Sequence, residues 1–363
     1  MNKLRFGILS TAGIGRKNWK AVFNSGNCVV SAVASRDVKR SRQFIREGQR
    51  EFPFATEPVA LGSYKELLAS PNVDAVYVPL PTGLRKEWVL RAAAAGKHVI
   101  CEKPCGVSFA DVQEMAAACR GNRVQFMDGV MFMHGPRLPR VRKVLDDKKS
   151  VGAIRRISSA FSFCGNNEFS RGNIRLDGRL EPAGCLGDLG WYCIRFTLWT
   201  MKWQLPHTVT GRIISDSKPT GGRVPAPTAF FAELFFDDNV SAEFYCSFVA
   251  ADQQWAFISG RNGWLRIPDF VHPFNSREPA FEVNRTEIRV REAGAAQKQT
   301  PIPESAESGH ATAQNTIMFR NFANQVFSGK LNEEWPMWAL RTQQVLDACH
   351  KSSLKGTSLK LGA

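Results

Sequence analysis

The feature that most constrains this chain is the alternation of short apolar runs with charged or alanine-rich helical stretches over its first 130 residues. Leu4–Ser10 reads as a buried strand, Ile14–Asn24 as a helix, Cys28–Ser35 as a second strand and Val38–Gln49 as a charged helix. Asp74–Val78 and Lys97–Cys101 are further strands, separated by the helix Leu84–Ala95, which stops at Gly96. Phe109–Cys119 and Arg123–Met127 add another helix and strand. Strands with no polar alternation are buried on both faces, and helical connections between them make them run parallel. The expected fold class is α/β, opening with a doubly wound parallel sheet.

After Pro136 the pattern changes. A helix is expected at Arg137–Asp147, followed by strands at Ile154–Phe163, Thr208–Ile214, Ala229–Phe236, Val240–Val249, Trp255–Ser259 and Trp264–Ile267. Asp237-Asp238-Asn239 and the stretch from Gly260 to Gly263 have hairpin-turn chemistry. Helical patterning returns at Ala313–Phe327 and Met337–His350, and Ala293–Gly309 reads as a surface loop. Two domains are therefore expected: a dinucleotide-binding domain at 1–130 and an α+β domain at 131–363 dominated by an antiparallel sheet. The C-terminal helices could pack back on the first domain.

Composition narrows the function classes. An apolar fraction of 44 % over 363 residues supports packed cores. Apolar runs are too short and too interrupted for a membrane helix, and the N-terminus runs directly into a strand pattern, so no signal peptide is expected. Nine scattered cysteines without Cys-x-x-Cys spacing or a zinc-type histidine pair suggest reduced thiols, a cytoplasmic location and no metal site. The net charge of +15 invites a nucleic-acid reading. The basic residues are dispersed, without a tail or interleaved stacking aromatics, so nucleic acid is disfavoured and an anionic cofactor or substrate is favoured.

The turn after the first strand is Ser10-Thr11-Ala12-Gly13-Ile14-Gly15. Laid on Gly-x-Gly-x-x-Gly it keeps only the last glycine, Gly15, with Ser10 and Ala12 in the other two places. Its position at the start of a βαβ unit makes it the expected pyrophosphate cradle. The second strand ends in Ser35, Arg36 and Asp37, with Arg40 on the next helix. Ser35, Arg36 and Arg40 suit a 2′-phosphate, so NADP is expected, with NAD possible through Asp37. Pro79, Leu80 and Pro81 follow another strand and complete the expected cofactor contacts together with Glu102 and Lys103.

The chemistry is expected at Glu102-Lys103-Pro104, where the chain leaves the sheet at a strand's carboxyl end. The Lys103–Pro104 bond is a candidate for the cis form. A second cluster lies downstream, with Asp188 and Tyr192 four residues apart among Gly184, Gly187 and Gly190. That spacing places Asp188 and Tyr192 on one helix face, and the glycines suggest close backbone approach. A lysine, a carboxylate and a phenol are the equipment for moving a proton, provided folding brings Lys103 and Tyr192 within reach of each other. Pocket polar groups are also expected from the loop between Gly165 and Arg171 and from His134.

These residues together resemble the Gfo/Idh/MocA-type oxidoreductases. The resemblance spans the N-terminal turn, Glu102-Lys103-Pro104, the Gly184–Tyr192 motif and the segment from Phe257 to Arg266. The Tyr192 version is similar to the glucose–fructose oxidoreductase and dimeric dihydrodiol dehydrogenase branch, and its local wording to a subgroup common in plants. The resemblance implies a Rossmann domain followed by a large open sheet used for homodimerisation. It also implies NAD(P)-dependent oxidation or reduction at a carbinol carbon of a sugar, cyclitol or diol. Lys103 and Tyr192 take the acid–base roles by that resemblance, and Asp188 positions substrate or lysine. Arg85 stands where many members have histidine, which suggests an acidic or phosphorylated substrate. The alternative from another class is a catalytically silent, NADP-sensing or partner-binding protein of the same fold, favoured by the missing glycines.

Overall fold

The computed structural model describes residues 2–218, 223–273, 280–289, 292–301 and 311–361. Close contacts divide the chain into two units, one of Met1–Gly135 with Glu307–Leu340, the other of Pro136–Ala306 with Arg341–Ala363.

In the first unit the chain runs β1 (Leu4–Leu9), α1 (Gly13–Ser25), β2 (Cys28–Ala34), α2 (Val38–Glu51), β3 (Val59–Leu61), α3 (Tyr64–Ala69), β4 (Ala75–Val78), α4 (Thr82–Ala94), β5 (His98–Cys101), α5 (Phe109–Gly121) and β6 (Phe126–Asp128). The strands pair in the order β3-β2-β1-β4-β5-β6, all parallel. Every residue of β4 is buried, as a strand covered by helices on both faces requires. Side-chain caps begin three of the helices: Asp37 accepts from Lys39 N at 2.8 Å, Ser63 from Glu66 N at 3.2 Å and Ser108 from Asp111 N at 3.3 Å. Helices α1 and α4 instead start at Ala12 and Pro81 with no side-chain cap.

The second unit begins with α6 (Arg137–Asp146), β7 (Ile154–Cys164), α7 (Asn167–Gly172) and α8 (Trp191–Thr200). Strands β8 (Thr208–Asp216), β9 (Pro227–Phe236), β10 (Val240–Ser247), β11 (Val249–Gly260), β12 (Trp264–Ile267), β13 (Ala280–Arg289) and β14 (Glu292–Pro301) follow. Next in the chain come α9 (Gln314–Phe327), which belongs to the first unit, α10 (Glu334–Lys355) and β15 (Leu359–Lys360). Nine strands pair as β14-β13-β12-β11-β7-β10-β9-β8-β15, antiparallel except for β7 with β10. Burial alternates along β10, the mark of a sheet with one packed and one open face.

The packed face of β7 carries Phe161 and Phe163; the open face carries Arg156, Ser158 and Ala160. Tyr245, Trp255 and Phe257 lie half-buried on that open face. Within the first unit, α9 lays Phe319 and Phe322 on the Phe6 ring of β1, at centroid distances of 5.3 and 5.9 Å. Arg320 Nε donates to Ser25 O at the end of α1.

The doubly wound sheet and the mainly antiparallel second sheet agree with the sequence. One expectation is corrected: the loop expected at 293–309 is a strand over Glu292–Pro301, while 302–310 lie outside the described residues. Its alanines, glutamines and lysine have little strand preference of their own, but ten consecutive pairings with β13 override it.

Candidate active site

Four loops leave the carboxyl edge of the parallel sheet: Ser10–Ala12 after β1, Ser35–Asp37 after β2, Pro79–Pro81 after β4 and Glu102–Pro104 after β5. Strand β1 lies between β2 and β4, so the winding reverses there, where open α/β sheets bind their ligands.

Ser10 occupies the first glycine place of the cradle with φ of 129°, a backbone conformation that side chains disfavour. Its hydroxyl compensates, donating to Pro79 O at 3.2 Å and accepting from Ala12 N at 3.2 Å. Serine thus keeps the turn that glycine would allow and ties it to the β4 loop. A Cβ at Gly13 would meet nothing within 4 Å, so open space lies at the start of α1.

At the end of β2, Ser35 donates to Asp37 O at 2.6 Å and accepts from Ser41 Oγ at 3.1 Å. The Asp37 carboxylate caps α2. Arg36 and Arg40 are exposed, and both act on Tyr64. Burial raises the Tyr64 phenol above its ordinary value, and the two guanidinium groups oppose that rise. The two cations therefore converge on one aromatic, whose ring meets Trp88 edge-on at 4.9 Å.

The Glu102-Lys103-Pro104 loop contains a cis Lys103–Pro104 peptide. The Glu102 carboxylate is buried and accepts from Tyr77 Oη at 2.5 Å and Lys103 N at 3.3 Å. Tyr77 Oη in turn accepts from Asn18 Nδ2 at 2.7 Å, and Asn18 Oδ1 from Asn315 Nδ2 at 3.2 Å. Burial first, then the Glu102 carboxylate, push the Tyr77 phenol well above its ordinary value, so it stays a donor. Lys17 is held below the usual lysine range by burial, partly offset by Glu102. Lys103 itself is half-buried.

Arg85 corrects a second expectation. Its side chain is buried, with Nε donating to Leu80 O at 2.7 Å and NH1 to Pro104 O. A guanidinium so engaged with backbone carbonyls is a structural tie between two strand-end loops, which removes the argument for an acidic substrate.

In the second unit, Leu186–Gly190 forms a π turn and α8 starts only at Trp191. A π turn closes with i→i+5 bonds, so residues four apart do not stack as they do on an α-helix. The expectation that Asp188 and Tyr192 share one α-helical face is corrected on that ground. Close approach causes the irregularity: a Cβ at Gly190 would lie 2.9 Å from the Leu186 side chain and 3.3 Å from Cys246 Sγ. At Gly184, with φ of 47°, it would lie 2.2 Å from Pro227 O.

Asp188 is paired with Arg175, Oδ2 to Nε 2.8 Å, and the Asp188 charge, more than any other cause, raises the arginine above its ordinary value. Tyr192 also acts on Arg175 electrostatically and packs its ring edge-on against Phe161 at 5.5 Å. Sequence reasoning missed Arg175, which lies thirteen residues before Asp188 with no motif around it. It also missed Tyr77, read only as a strand residue.

The loop expected between Gly165 and Arg171 holds the short helix α7, capped by Asn166 Oδ1 accepting from Phe169 N. His134 lines a cavity of about 420 Å³ with Asn321, Trp335 and Trp338. All nine cysteines are unpaired, and only Cys164 is exposed. Among the described residues no group of His, Cys, Asp or Glu could hold a metal ion, and no helix is long and apolar enough to cross a membrane.

Residues 4–130 match the oxidoreductase family with an NAD-binding Rossmann fold, GFO/IDH/MocA, and residues 139–266 match that family's C-terminal domain. The chain belongs to the GFO/IDH/MocA oxidoreductases. It is 32 % identical to mouse trans-1,2-dihydrobenzene-1,2-diol dehydrogenase over 74 % of this chain and 76 % of that one. It is 28 % identical to D-xylose 1-dehydrogenase (NADP(+)) 2 of Haloferax volcanii over 99 % of this chain and all of that one. The solved structure of KijD10, a 3-ketoreductase from Actinomadura kijaniata in complex with NADP and TDP-benzene, superposes with a TM-score of 0.79. It covers 97 % of this chain and 98 % of its own at 27 % identity. The chain is accordingly an NAD(P)-dependent oxidoreductase by family.

Proposed function

We propose that the protein transfers hydride between NADP and a carbinol or carbonyl carbon of a sugar, cyclitol or diol. The observation that carries this reading is the gathering of the Ser10, Pro79 and Glu102-Lys103 loops at the switch point of the parallel sheet. The residues present fit the dinucleotide. The uncapped start of α1, with open space at Gly13, suits a pyrophosphate, and Arg36 with Arg40 suits a 2′-phosphate. Thr11, Ala12, Ile14 and Gly15 complete the cradle, Ser35 and Asp37 shape the turn beside it, and Pro79, Leu80, Pro81 and Glu102 line the remaining contacts. Bound NADP supplies the hydride acceptor or donor at its nicotinamide ring.

The chain's own residues handle the proton. In the oxidative direction the substrate hydroxyl releases its proton to Tyr192 Oη or Lys103 Nζ as the carbon gives up hydride, and reduction reverses both transfers. Asp188, held by Arg175, orients the substrate hydroxyl or the acid–base group. The named relatives act on xylose and on a dihydrodiol, which is why polyhydroxylated substrates are proposed. The same reading makes the protein a cytoplasmic homodimer, assembled on the open face of the nine-stranded sheet around Tyr245, Trp255 and Phe257.

The test is Lys103→Met, assayed by nicotinamide absorbance with NADP and D-xylose or a dihydrodiol. Loss of about 100-fold or more in kcat with cofactor binding retained is expected; undiminished turnover sinks the assignment. Tight NADP binding without turnover by the unaltered protein, across a broad sugar and diol panel, would favour the silent alternative. The turn geometry kept by Ser10 weakens that alternative.

A further inference from the structure

Lys103 is flanked in sequence by two residues, and each is gripped by a buried side chain from another element. On one side the Glu102 carboxylate is fixed by Tyr77 of β4, which is backed by Asn18 of α1 and Asn315 of α9. On the other, the Pro104 carbonyl is fixed by Arg85 of α4, which also holds Leu80 O in the neighbouring loop. Tyr77 is 1 % exposed and Arg85 6 %, so both polar groups are desolvated.

Burying a guanidinium and a phenol is a poor route to stability, because well-packed apolar residues of similar volume often do as well or better. What such groups provide is direction, since a desolvated donor accepts few alternative geometries. Both converge on the residues either side of Lys103. A Cβ at Gly129 would lie 3.1 Å from Glu102 Oε1, so the carboxylate is also confined from β6.

We propose that Tyr77 and Arg85 are positioning residues for Lys103, a two-point brace that sets where its amine projects. The proposal rests on the redox reading above for its catalytic consequence, but the brace itself is geometric. Neither residue touches the reacting atoms in this account. They act through Glu102 and Pro104. A displacement of about 1 Å in a catalytic group can lower the rate roughly 100-fold, so small losses of anchoring should register.

The experiment compares Tyr77→Phe, Arg85→Lys, Arg85→Met and Lys103→Met with the unaltered protein. Folding is checked by circular dichroism and NADP binding by fluorescence titration. The first readout is kcat and KM with NADP and D-xylose or a dihydrodiol. The brace predicts a fall of about 10- to 100-fold in kcat with NADP affinity within about threefold. The second readout is independent of turnover. Lys103 is acylated with an amine-selective succinimidyl ester, and its rate is measured by peptide mass spectrometry against the other lysines of the same sample.

Tyr77→Phe and Arg85→Lys should each change the Lys103 rate while leaving the rest of the lysine profile in place. Both conservative variants folding, with the Lys103 rate and kcat of the unaltered protein, would overturn the brace. If Arg85→Met fails to fold, Tyr77→Phe and Arg85→Lys still decide. Lys103→Met separates the two claims. Full activity in that variant sinks the redox assignment whatever the brace does, whereas an inactive Lys103→Met beside unaffected brace variants sinks the brace alone. A folded protein that turns over neither probe but shows shifted Lys103 acylation in both variants leaves the brace standing.

Discussion

The Lys103 loop of the first unit and the Asp188 turn of the second are shaped by opposite means. Around Lys103, geometry comes from side chains far away in sequence, with Tyr77, Arg85 and the Asn18–Asn315 link each reaching in from a different element. Around Asp188, geometry comes from the backbone, because Gly184 and Gly190 lie so close to β9 and β10 that no side chain fits. A site built from side chains loses precision before it loses its fold. A turn built on backbone contact has no such margin. The comparison predicts that the smallest possible substitution does more damage in the second unit than a polar deletion does in the first.

Gly184→Ala is the largest expected effect. The added methyl carbon would sit 2.2 Å from Pro227 O, and φ of 47° is unfavourable for alanine as well. Backbone must move, so a loss of about 3 kcal/mol or more is expected, or failure to fold. Urea unfolding reads it; a loss under about 1 kcal/mol would show that the turn has slack and that the contrast is wrong.

Arg175→Met comes next. It removes a charged partner 2.8 Å from Asp188 while preserving side-chain length. The pair is part-exposed, with the arginine side chain 42 % accessible, so the stability change should stay near 1–2 kcal/mol. Under the redox reading kcat should fall more than NADP affinity, and Arg175→Lys should recover part of it. Equal activity in both variants would reduce Arg175 to a surface contact.

The same contrast explains how much was legible in the sequence. Buried strands and amphipathic helices announce themselves through composition, so both sheets could be read; β3, three residues long, and β15, two residues long, are too short to show a period. Strand β14 owes its state to a partner strand, which no local pattern reports. At the candidate site, Lys103 and Ser10 were legible because a strand end and a turn place them. Tyr77 and Arg175 were not, since each matters through a partner twenty-five or thirteen residues away that only folding supplies. Spacing even misled at Asp188, where glycine-driven contact opened a π turn that periodicity cannot anticipate.

Reliance on side-chain bonds should also make the first unit sensitive to mild acid. His98 Nδ1 accepts from Gln125 N at 2.9 Å, which requires that nitrogen to be unprotonated, and Gln125 joins the segment before α10 through Asn332. Burial lowers the His98 pKa below the ordinary 6.5, with Asp74 partly opposing it. The unfolded chain then binds the proton first as pH falls. The stabilisation is complete above about pH 6.5 and is lost as pH drops through the folded-state value. Urea midpoints at about pH 7.5 and about pH 5.5 should differ less in His98→Gln than in the unaltered protein. An identical difference would place the acid sensitivity elsewhere.

The smallest effect expected is at Ser10, the one point in the first unit where backbone strain and side-chain bonding oppose each other. Its φ of 129° disfavours any residue with a side chain by about 1 kcal/mol or more, while its bonds to Pro79 O and Ala12 N each return about 1 kcal/mol. Ser10→Gly removes strain and bonds together and should change stability by less than about 1 kcal/mol. Ser10→Ala removes the bonds and keeps the strain, so it should be the less stable of the two, with NADP binding weakened more. If alanine proves equal to or better than glycine, the hydroxyl and not the backbone conformation is irrelevant to the turn, and side-chain bonding loses its standing as the device that shapes this half of the molecule.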